Sequence, residues 1–403
     1  MWGLALEGGG AKGAFQIGAY KALRENGYEF GGITGTSIGS LNAAMLVQGD
    51  YDKLVEIWED LDPEAIFGKG VQSALMEQAF SLDSISNYTG ELKDLVLQGG
   101  IDVGPINEYL SKYIDEQRVR DSHMDFGLVT YNLTERKAEK LFIEDIPKGA
   151  LIGYLLASSY LPVFKPTQIG GKYFLDGGFV DKLPFRMLID KGYKKLVLIR
   201  IGGFGFGGKA TGEDIEFLEI NPRRDLGNVL DFNRENSRRL IQMGYMDTLV
   251  TLGVCYGHNY TLRGEPKTIA EQLFDLKDPA IGKICEILGL PALHGKDRLY
   301  MYGLPKLAEF LGLKDKPDSG QIAVEMLEVG MELMNMDSLK IYPVEEALNQ
   351  VLDAYASSNG KSVENTSQPF QRILNLISKR DQLDQICEIL FKKGSSAPEK
   401  ISQ

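Results

Sequence analysis

Residues 4–23 read LALEGGGAKGAFQIGAYKAL. The apolar run Trp2–Leu6 has the length and content of a short buried strand. Over residues 11–26, Ala14, Phe15, Ile17 and Leu23 fall near one face of a helix, and Lys21, Arg24 and Glu25 fall on the other. Between the two runs stand Gly8, Gly9, Gly10 and Gly13. Gly8, Gly10 and Gly13 fit G-x-G-x-x-G, the spacing of a dinucleotide-binding turn, which alone is a weak signal. The stretch therefore reads as strand, tight turn and helix, with successive backbone N–H groups and no side-chain bulk at three consecutive positions. Such a nest suits an anion, either a pyrophosphate or the oxyanion of an acyl transfer.

Outward from this turn, GYEFGGITGTS (27–37) carries a second short strand, and SIGSLNAAMLVQG (37–49) reads as a helix ending at Gly49. Helices are expected at about 51–60, 71–80 and 105–114, and strands in DFGLVTYNL (125–133) and EKLFIED (139–145). GALIGYLLASSY (149–160) is a helix that stops before Pro162, and KYFLDGGF (172–179) is a strand running into a Gly-Gly turn. KKLVLIRI (194–201) is the last obvious core strand. Strands alternating with helices over short connections predict a parallel α/β sheet. Beyond it lies a Gly/Phe loop, GGFGFGGKATG (202–212); Asn221 as N-cap and Pro222 at N1 then announce a helix. From about 263 the chain is predominantly helical, SSNGKSVENTSQ (357–368) is a polar linker or loop, and QLDQICEILFKK (382–393) forms an amphipathic helix.

A chain of 403 residues exceeds what one hydrophobic core usually organises. The expected division is a core at 1–205, a helical extension of it at 206–262, a helical accessory domain at 263–356, and a polar linker with a helical tail at 357–403. A hydrophobic fraction of 43% and a charged fraction of 25% are those of a soluble globular protein, and no apolar run approaches the roughly 20 residues that span a bilayer. MWGLALEGGG has no basic n-region, long apolar h-region or cleavage site, which argues against a Sec-type secretory route. Cys255, Cys285 and Cys387, odd in number and widely spaced, read as reduced, mostly buried thiols. The expected location is cytoplasmic, peripheral at membranes when engaged. His123, His258 and His294 are scattered and give no metal-ligand spacing. A net charge of −12 argues against nucleic acid as partner and against a general electrostatic grip on anionic lipid, but leaves room for contact through a local apolar surface.

Three features carry chemistry. GITGTSIGSLNAA (32–44) contains G-x-S-x-G as Gly35, Ser37 and Gly39, the layout of a nucleophile elbow between strand and helix. The helix that follows points its N-terminal N–H groups at the serine oxygen, favouring negative charge there. KYFLDGGFVDKLPF (172–185) ends an apolar strand on Asp176, followed by Gly177 and Gly178, at the edge of the sheet where α/β proteins place their sites. A dinucleotide fold wants instead an acidic residue ending the second strand. Glu29 is near the required distance, but that strand leads straight into Gly35 and Ser37.

In this order, a glycine nest over Gly8–Gly13, Gly35–Gly39 around Ser37, and Asp176–Gly178, the sequence resembles the patatin-like phospholipases, whose motifs are G-G-G-x-[RK]-G, G-x-S-x-G and D-G-[GA]. ASSYLPVFKP (157–166) is similar to the family's Ala-Ser-x-x-x-Pro stretch. The resemblance covers about the first 200 residues and fades across 200–260. Lys12 stands where arginine is more usual, and Asp181 and Lys182 stand where the family often has asparagines.

The resemblance implies a three-layer α/β/α fold with a mainly parallel central sheet. It also implies a serine lipid acyl hydrolase with a Ser37–Asp176 dyad and no catalytic histidine. Gly8, Gly9, Gly10 and Ala11 are expected to supply the oxyanion hole, with Lys12, Gly13, Gly35, Gly39, Gly177 and Gly178 in support. No cofactor, metal or nucleic acid is implied; the partner is a lipid substrate at a membrane or micelle surface. Phe204 and Phe206, and the helical stretch at about 63–100, are candidates to rim the acyl site. Three alternatives remain: a Ser37–Asp176–His258 triad of α/β-hydrolase type, a nucleotide-binding module on Gly8, Gly10 and Gly13, and a non-catalytic scaffold.

Overall fold

The computed structural model describes residues 1–64, 102–161, 164–165, 167–203, 205–206, 208–291, 294–314, 316–357 and 380–392. The helix expected at 71–80, nearly all of the expected rim at 63–100, Phe204 and the polar segment from 358 lie outside them. Within them, one sheet is built from β1 (Trp2–Leu6), β2 (Phe30–Thr36), β3 (Asp125–Asn132), β4 (Lys137–Phe142), β5 (Phe174–Asp176), β6 (Lys195–Ile199) and β7 (Glu216–Ile220). The order across it is β4-β3-β2-β1-β6-β7, and β5 pairs with β3. The run from β3 to β7 is parallel, while β4 and β5 are antiparallel to β3.

Helices cover both faces. The first unit holds α1 (Ala14–Glu25), α2 (Ile38–Val47), α3 (Tyr51–Glu59), α4 (Gly104–Tyr113), α5 (Glu116–Asp121), α6 (Leu151–Ser158), α7 (Phe185–Asp190) and α8 (Arg234–Thr251). On one face Ala5, Leu196 and Leu198 pack with Phe185 and Leu188 of α7, where Thr34 donates to the Pro184 carbonyl at 3.1 Å. On the other, α2 presses so closely that a Cβ on Gly35 would stand 2.2 Å from the Gly39 oxygen. Thr130 points the same way and donates to the Ala157 carbonyl of α6 at 2.9 Å. The result is the three-layer α/β/α architecture with a mixed, mainly parallel sheet.

Two local expectations fail. EFLEI (216–220) forms β7, an added edge strand whose glutamates made it look unlike a core strand. Those charges are matched across the pair: Lys195 reaches Glu216 at 2.7 Å and Arg200 reaches Glu219 at 2.6 Å. The helix announced by Asn221 and Pro222 does not start there; α8 begins at Arg234. Tertiary contacts hold this segment along a non-helical path. The Arg223 N–H donates to buried Asp247 at 3.0 Å, the Val229 carbonyl accepts from Ala11 at 2.7 Å, and Gly227 turns at φ 87°. The cap is Asn233, whose Oδ1 accepts the Asn236 N–H at 2.8 Å.

The chain divides into two compact units, Met1–Thr248 and Leu249–Gln403. The second is helical, with α9 (Pro266–Leu273), α10 (Asp278–Ile287), α11 (Leu304–Phe310), α12 (Ser319–Leu333), α13 (Val344–Ser357) and α14 (Arg380–Phe391) around their own apolar core. A short parallel pair, β8 (Thr261–Arg263) and β9 (Ile341–Pro343), is added to it. Buried Glu328 of α12 accepts the N–H groups of His258, Asn259 and Tyr260 at 2.7–3.1 Å. All three cysteines are buried. Among the described residues, no helix is long and apolar enough to cross a membrane.

In the first unit, α1 and α8 cross at glycines. A Cβ on Gly18 would meet the Ile241 oxygen at 1.7 Å, and one on Gly244 would meet the Phe15 oxygen at 1.9 Å. Helix propensity favours alanine at such positions by about 0.8–1 kcal/mol. The obstacle here is backbone, so Gly18→Ala is expected to lower stability by about 1–3 kcal/mol. Urea unfolding checks this; an unchanged or raised midpoint would remove the close crossing as a constraint.

Candidate active site

Two strand ends converge. β2 ends at Thr36, opposite Val129 of β3. Strand β4 occupies the far edge of β3 along residues 127–132, so β5, also paired to β3, lies on the same edge as β2. It runs in the opposite direction and ends on Asp176 opposite Thr130. The next residue after β2 and the last of β5 therefore meet head to head. Ser37 and Asp176 come together this way, close enough for the Ser37 side chain to favour the charged form of the Asp176 carboxylate.

Ser37 is held in a strained backbone conformation, φ 55° and ψ −130°, between β2 and the first turn of α2. Gly35 and Gly39 permit it, since a Cβ on Gly39 would stand 2.5 Å from the Leu6 oxygen. The serine of the Ala-Ser-x-x-x-Pro stretch, to which the sequence assigned no role, fixes the elbow. Ser158, at the end of α6, accepts the Ser37 N–H at 2.9 Å and donates to the Val129 carbonyl at 2.7 Å. Two residues on, the Tyr160 carbonyl accepts the Asp176 N–H at 2.9 Å. The stretch from Ala157 thus ties both members to one helix end.

The Asp176 side chain is buried, with the Gly178 N–H donating to Oδ1 at 2.7 Å. Burial pushes its carboxyl up to about 6, against the opposing pull of hydrogen bonds from Ser37 and Gly178. Gly177 is confined, because a Cβ there would meet the Val129 oxygen at 2.2 Å.

The glycine nest is narrower than the four residues expected. The Gly8 N–H donates to the Lys182 carbonyl at 2.9 Å, and the Ala11 N–H donates to the Val229 carbonyl at 2.7 Å. Among the described residues, the N–H groups of Gly9 and Gly10 have no partner. Gly10 sits at φ 57°, where a Cβ would lie 2.1 Å from the Val229 oxygen. Gly13 lets Ile38 pack against the turn, and Lys12 reaches the Gly202 carbonyl at 3.4 Å.

Beneath the nest lies a buried carboxylate that no motif marked. Glu7 accepts the N–H groups of Ile201 and Gly202 and pairs with Lys182 Nζ at 3.0 Å. Lys182 also donates to the Gly203 carbonyl at 2.7 Å. The lysine that stands in place of a family asparagine thus ties the loop after β6 to the nest. The neighbouring Asp181 pairs with Lys140 at 2.5 Å and accepts the Thr36 hydroxyl on its carbonyl at 2.8 Å. Phe206 is 74% exposed, with its N–H on the Gly178 carbonyl at 3.1 Å.

Ser37 and Gly10 open onto a cavity of about 150 Å³ whose other walls are largely apolar, among them Leu41, Met45, Trp58 and Leu156. His258 belongs to the second unit, its N–H held by Glu328. A Ser-Asp-His triad needs the histidine between the other two, but the ends of β2 and β5 bring Asp176 directly beside Ser37. Glu29 precedes β2 and is exposed, at the opposite edge of the sheet from the nest, so the acid that a ribose needs is absent from its place.

The Glu7–Lys182 pair generates a stability expectation. Lys182→Met strands the buried Glu7 carboxylate and is expected to cost on the order of 3 kcal/mol. The double variant Glu7→Gln/Lys182→Met should regain most of that loss in urea unfolding. A double variant no more stable than the single one would show that the two side chains are not coupled.

The family description "Patatin-like phospholipase" matches residues 4–189, which include the nest, the serine elbow and the Asp176 turn. Lysophospholipase NTE1 of Mycosarcoma maydis is 28% identical over 236 residues, covering 56% of this chain and 11% of that protein. Patatin-like phospholipase domain-containing protein ZK370.4 of Caenorhabditis elegans is 24% identical over 251 residues, covering 59% and 16%. The chain thus spans well under a fifth of these relatives' length. The crystal structure of VipD from Legionella pneumophila is 15% identical with a TM-score of 0.35, covering 100% of this chain and 93% of that one. The family match runs from β1 through α7, and within it the motifs stand in order with their residues gathered at one sheet edge, so residues 4–189 of the first unit are similar to the patatin-like phospholipases.

Proposed function

We propose that the first unit is a serine acyl hydrolase that cleaves carboxylic esters of phospholipids or related lipids. The observation that carries this reading is the convergence of Ser37 and Asp176 at the ends of β2 and β5, with Ser37 on the wall of an apolar cavity that Gly10 also lines. Ser37 Oγ attacks the ester carbonyl and passes its proton to Asp176. The N–H groups of Gly9 and Gly10 receive the oxyanion. Collapse of the tetrahedral intermediate expels the alcohol, which takes the proton from Asp176 and leaves an acyl-serine. Water, deprotonated by Asp176, then releases the fatty acid and restores the hydroxyl.

An ordinary aspartate, with a pKa near 3.9, is a weak base. Raised to about 6, Asp176 is a stronger one and is still largely ionised at neutral pH. The cavity's apolar walls suit an acyl chain, and the names of the lysophospholipase relatives support a glycerophospholipid ester. Phe206 provides an exposed apolar rim one hydrogen bond from the Asp176 turn. In this reading the protein meets its lipid at a membrane or micelle surface, as a cytoplasmic or peripheral protein.

Intact mass after exposure to a fluorophosphonate tests the dyad. One adduct on wild type, none on Ser37→Ala and slow labelling of Asp176→Asn are expected; labelling of Ser37→Ala would move the nucleophile elsewhere. The base role predicts that kcat/KM rises with pH to a plateau above about 6, read on a soluble ester.

Stability should move the other way. The folded pKa lies above the unfolded one, so the contribution of protonated Asp176 is full below about pH 4 and is lost as pH rises through 6. At pH 8, Asp176→Asn is expected to be about 2–3 kcal/mol more stable than wild type, from roughly two pKa units at 1.36 kcal/mol each, with no gain at pH 4. Parallel urea curves at the two pH values check it, and equal gains at both would remove the burial argument.

A further inference from the structure

We propose that two hairpin tips beside the cavity form a surface that docks the protein onto an anionic lipid bilayer. The docking geometry is independent of the hydrolase reading; only its purpose, delivering lipid to the cavity, rests on that reading. β3 and β5 both extend past the level of the dyad. Three residues beyond Thr130, at about 3.3 Å each, Leu133 stands roughly 10 Å further out on the side of the sheet where Ser37 lies. The turn 133–136 leads from β3 to β4, and the turn 169–172 precedes β5. The tips are tied together: the Leu133 N–H donates to the Tyr173 carbonyl at 2.8 Å, and the Tyr173 N–H donates to Thr134 Oγ1 at 2.9 Å.

This projection exposes what a soluble surface usually covers. Leu133 is 41% exposed and Tyr173 42%. They line an open groove of about 380 Å³ together with Tyr160, Leu161, Phe164 and Leu175. Tyr160, Leu161 and Phe164 also line the cavity that contains Ser37, so groove and cavity share a wall.

Charge singles out the partner. Arg136, Lys137, Lys165 and Lys172 flank the groove, and the tips carry two carboxylates, Glu135 and Glu139. Glu135 takes both Lys137 and Lys172, at 2.6 and 2.5 Å, while Glu139 is buried and accepts from Asn132 at 2.8 Å. The tips, together with the first residues of β4 and Lys165, therefore carry four cationic side chains against two carboxylates, an excess of two positive charges on a chain whose net charge is −12. A protein partner would need only the apolar groove. Exposed leucine and tyrosine ringed by cations fit a headgroup layer, where tyrosine sits at the interface and each basic residue raises partition about fivefold.

The test is flotation of the full chain with vesicles of phosphatidylcholine alone and of phosphatidylcholine with phosphatidylserine. Wild type is expected to float with the phosphatidylserine vesicles and to be released by salt. Leu133→Ser/Tyr173→Ser and Arg136→Gln/Lys165→Gln should each lose about tenfold or more in partition. Both should keep the wild-type thermal midpoint and wild-type turnover of a soluble short-chain ester.

The proposal is overturned if both variants partition like wild type, if wild type binds the two vesicle types equally, or if it binds neither. It is equally overturned if the first variant instead abolishes a wild-type dimer in solution, which would make a second copy the occupant. Absence of ester turnover by wild type would sink the hydrolase reading and leave the flotation result to decide docking.

Discussion

The candidate site depends on β2 and β5 competing for one edge of β3. A strand edge offers one row of N–H and C=O groups, and β2 uses that row only as far as Val129. β5 takes up the row from Thr130, running the other way. Two chain segments more than a hundred residues apart must then end nose to nose. This places an acid and a serine side by side.

Much of the surrounding polar chemistry serves to hold that junction still. The strained Ser37 backbone is anchored by Ser158, which is itself anchored on Val129, the residue at which β2 stops pairing. Thr130 ties the same point to α6 through the Ala157 carbonyl and to β5 through the Leu175 carbonyl at 3.0 Å. On the far side of β1, Glu7 and Lys182 bind the loop after β6 under the glycine nest. A strained elbow persists only where its neighbours over-determine it, and each of these bonds removes one way for it to relax.

The same economy explains why the nest is smaller than its glycine run. Every backbone N–H near the surface of a fold must find water, protein or ligand. Gly8 and Ala11 find protein partners in Lys182 and Val229, so the turn is fastened at both ends and open in the middle. That leaves the Gly9 and Gly10 N–H groups without a protein partner among the described residues, with Gly10 on the wall of the cavity that Ser37 also lines. In the proposed reaction, donors held in advance need no reorganisation when charge develops.

The α/β alternation, the buried strands, the serine elbow and the order of the three motifs were legible in the sequence, because each is a local pattern. Apolar period sets strand or helix, and glycines mark places where a Cβ would strike backbone, as at Gly35 and Gly10. Local pattern misled where distant groups captured the backbone. Asn221 and Pro222 have the chemistry of a helix start, yet contacts from Arg223 to Asp247 and from Ala11 to Val229 hold the segment along a non-helical path. Ser158 was marked only by its place in the Ala-Ser-x-x-x-Pro stretch, which assigned it no role, and Glu7 was invisible, since a lone buried glutamate carries no spacing to read. The sequence by itself determined which side chains and which turn types are present. The tertiary structure alone decided which of them meet, which N–H groups stay free and how far burial raises Asp176, because pairing, competition for donors and desolvation depend on neighbours distant in the chain.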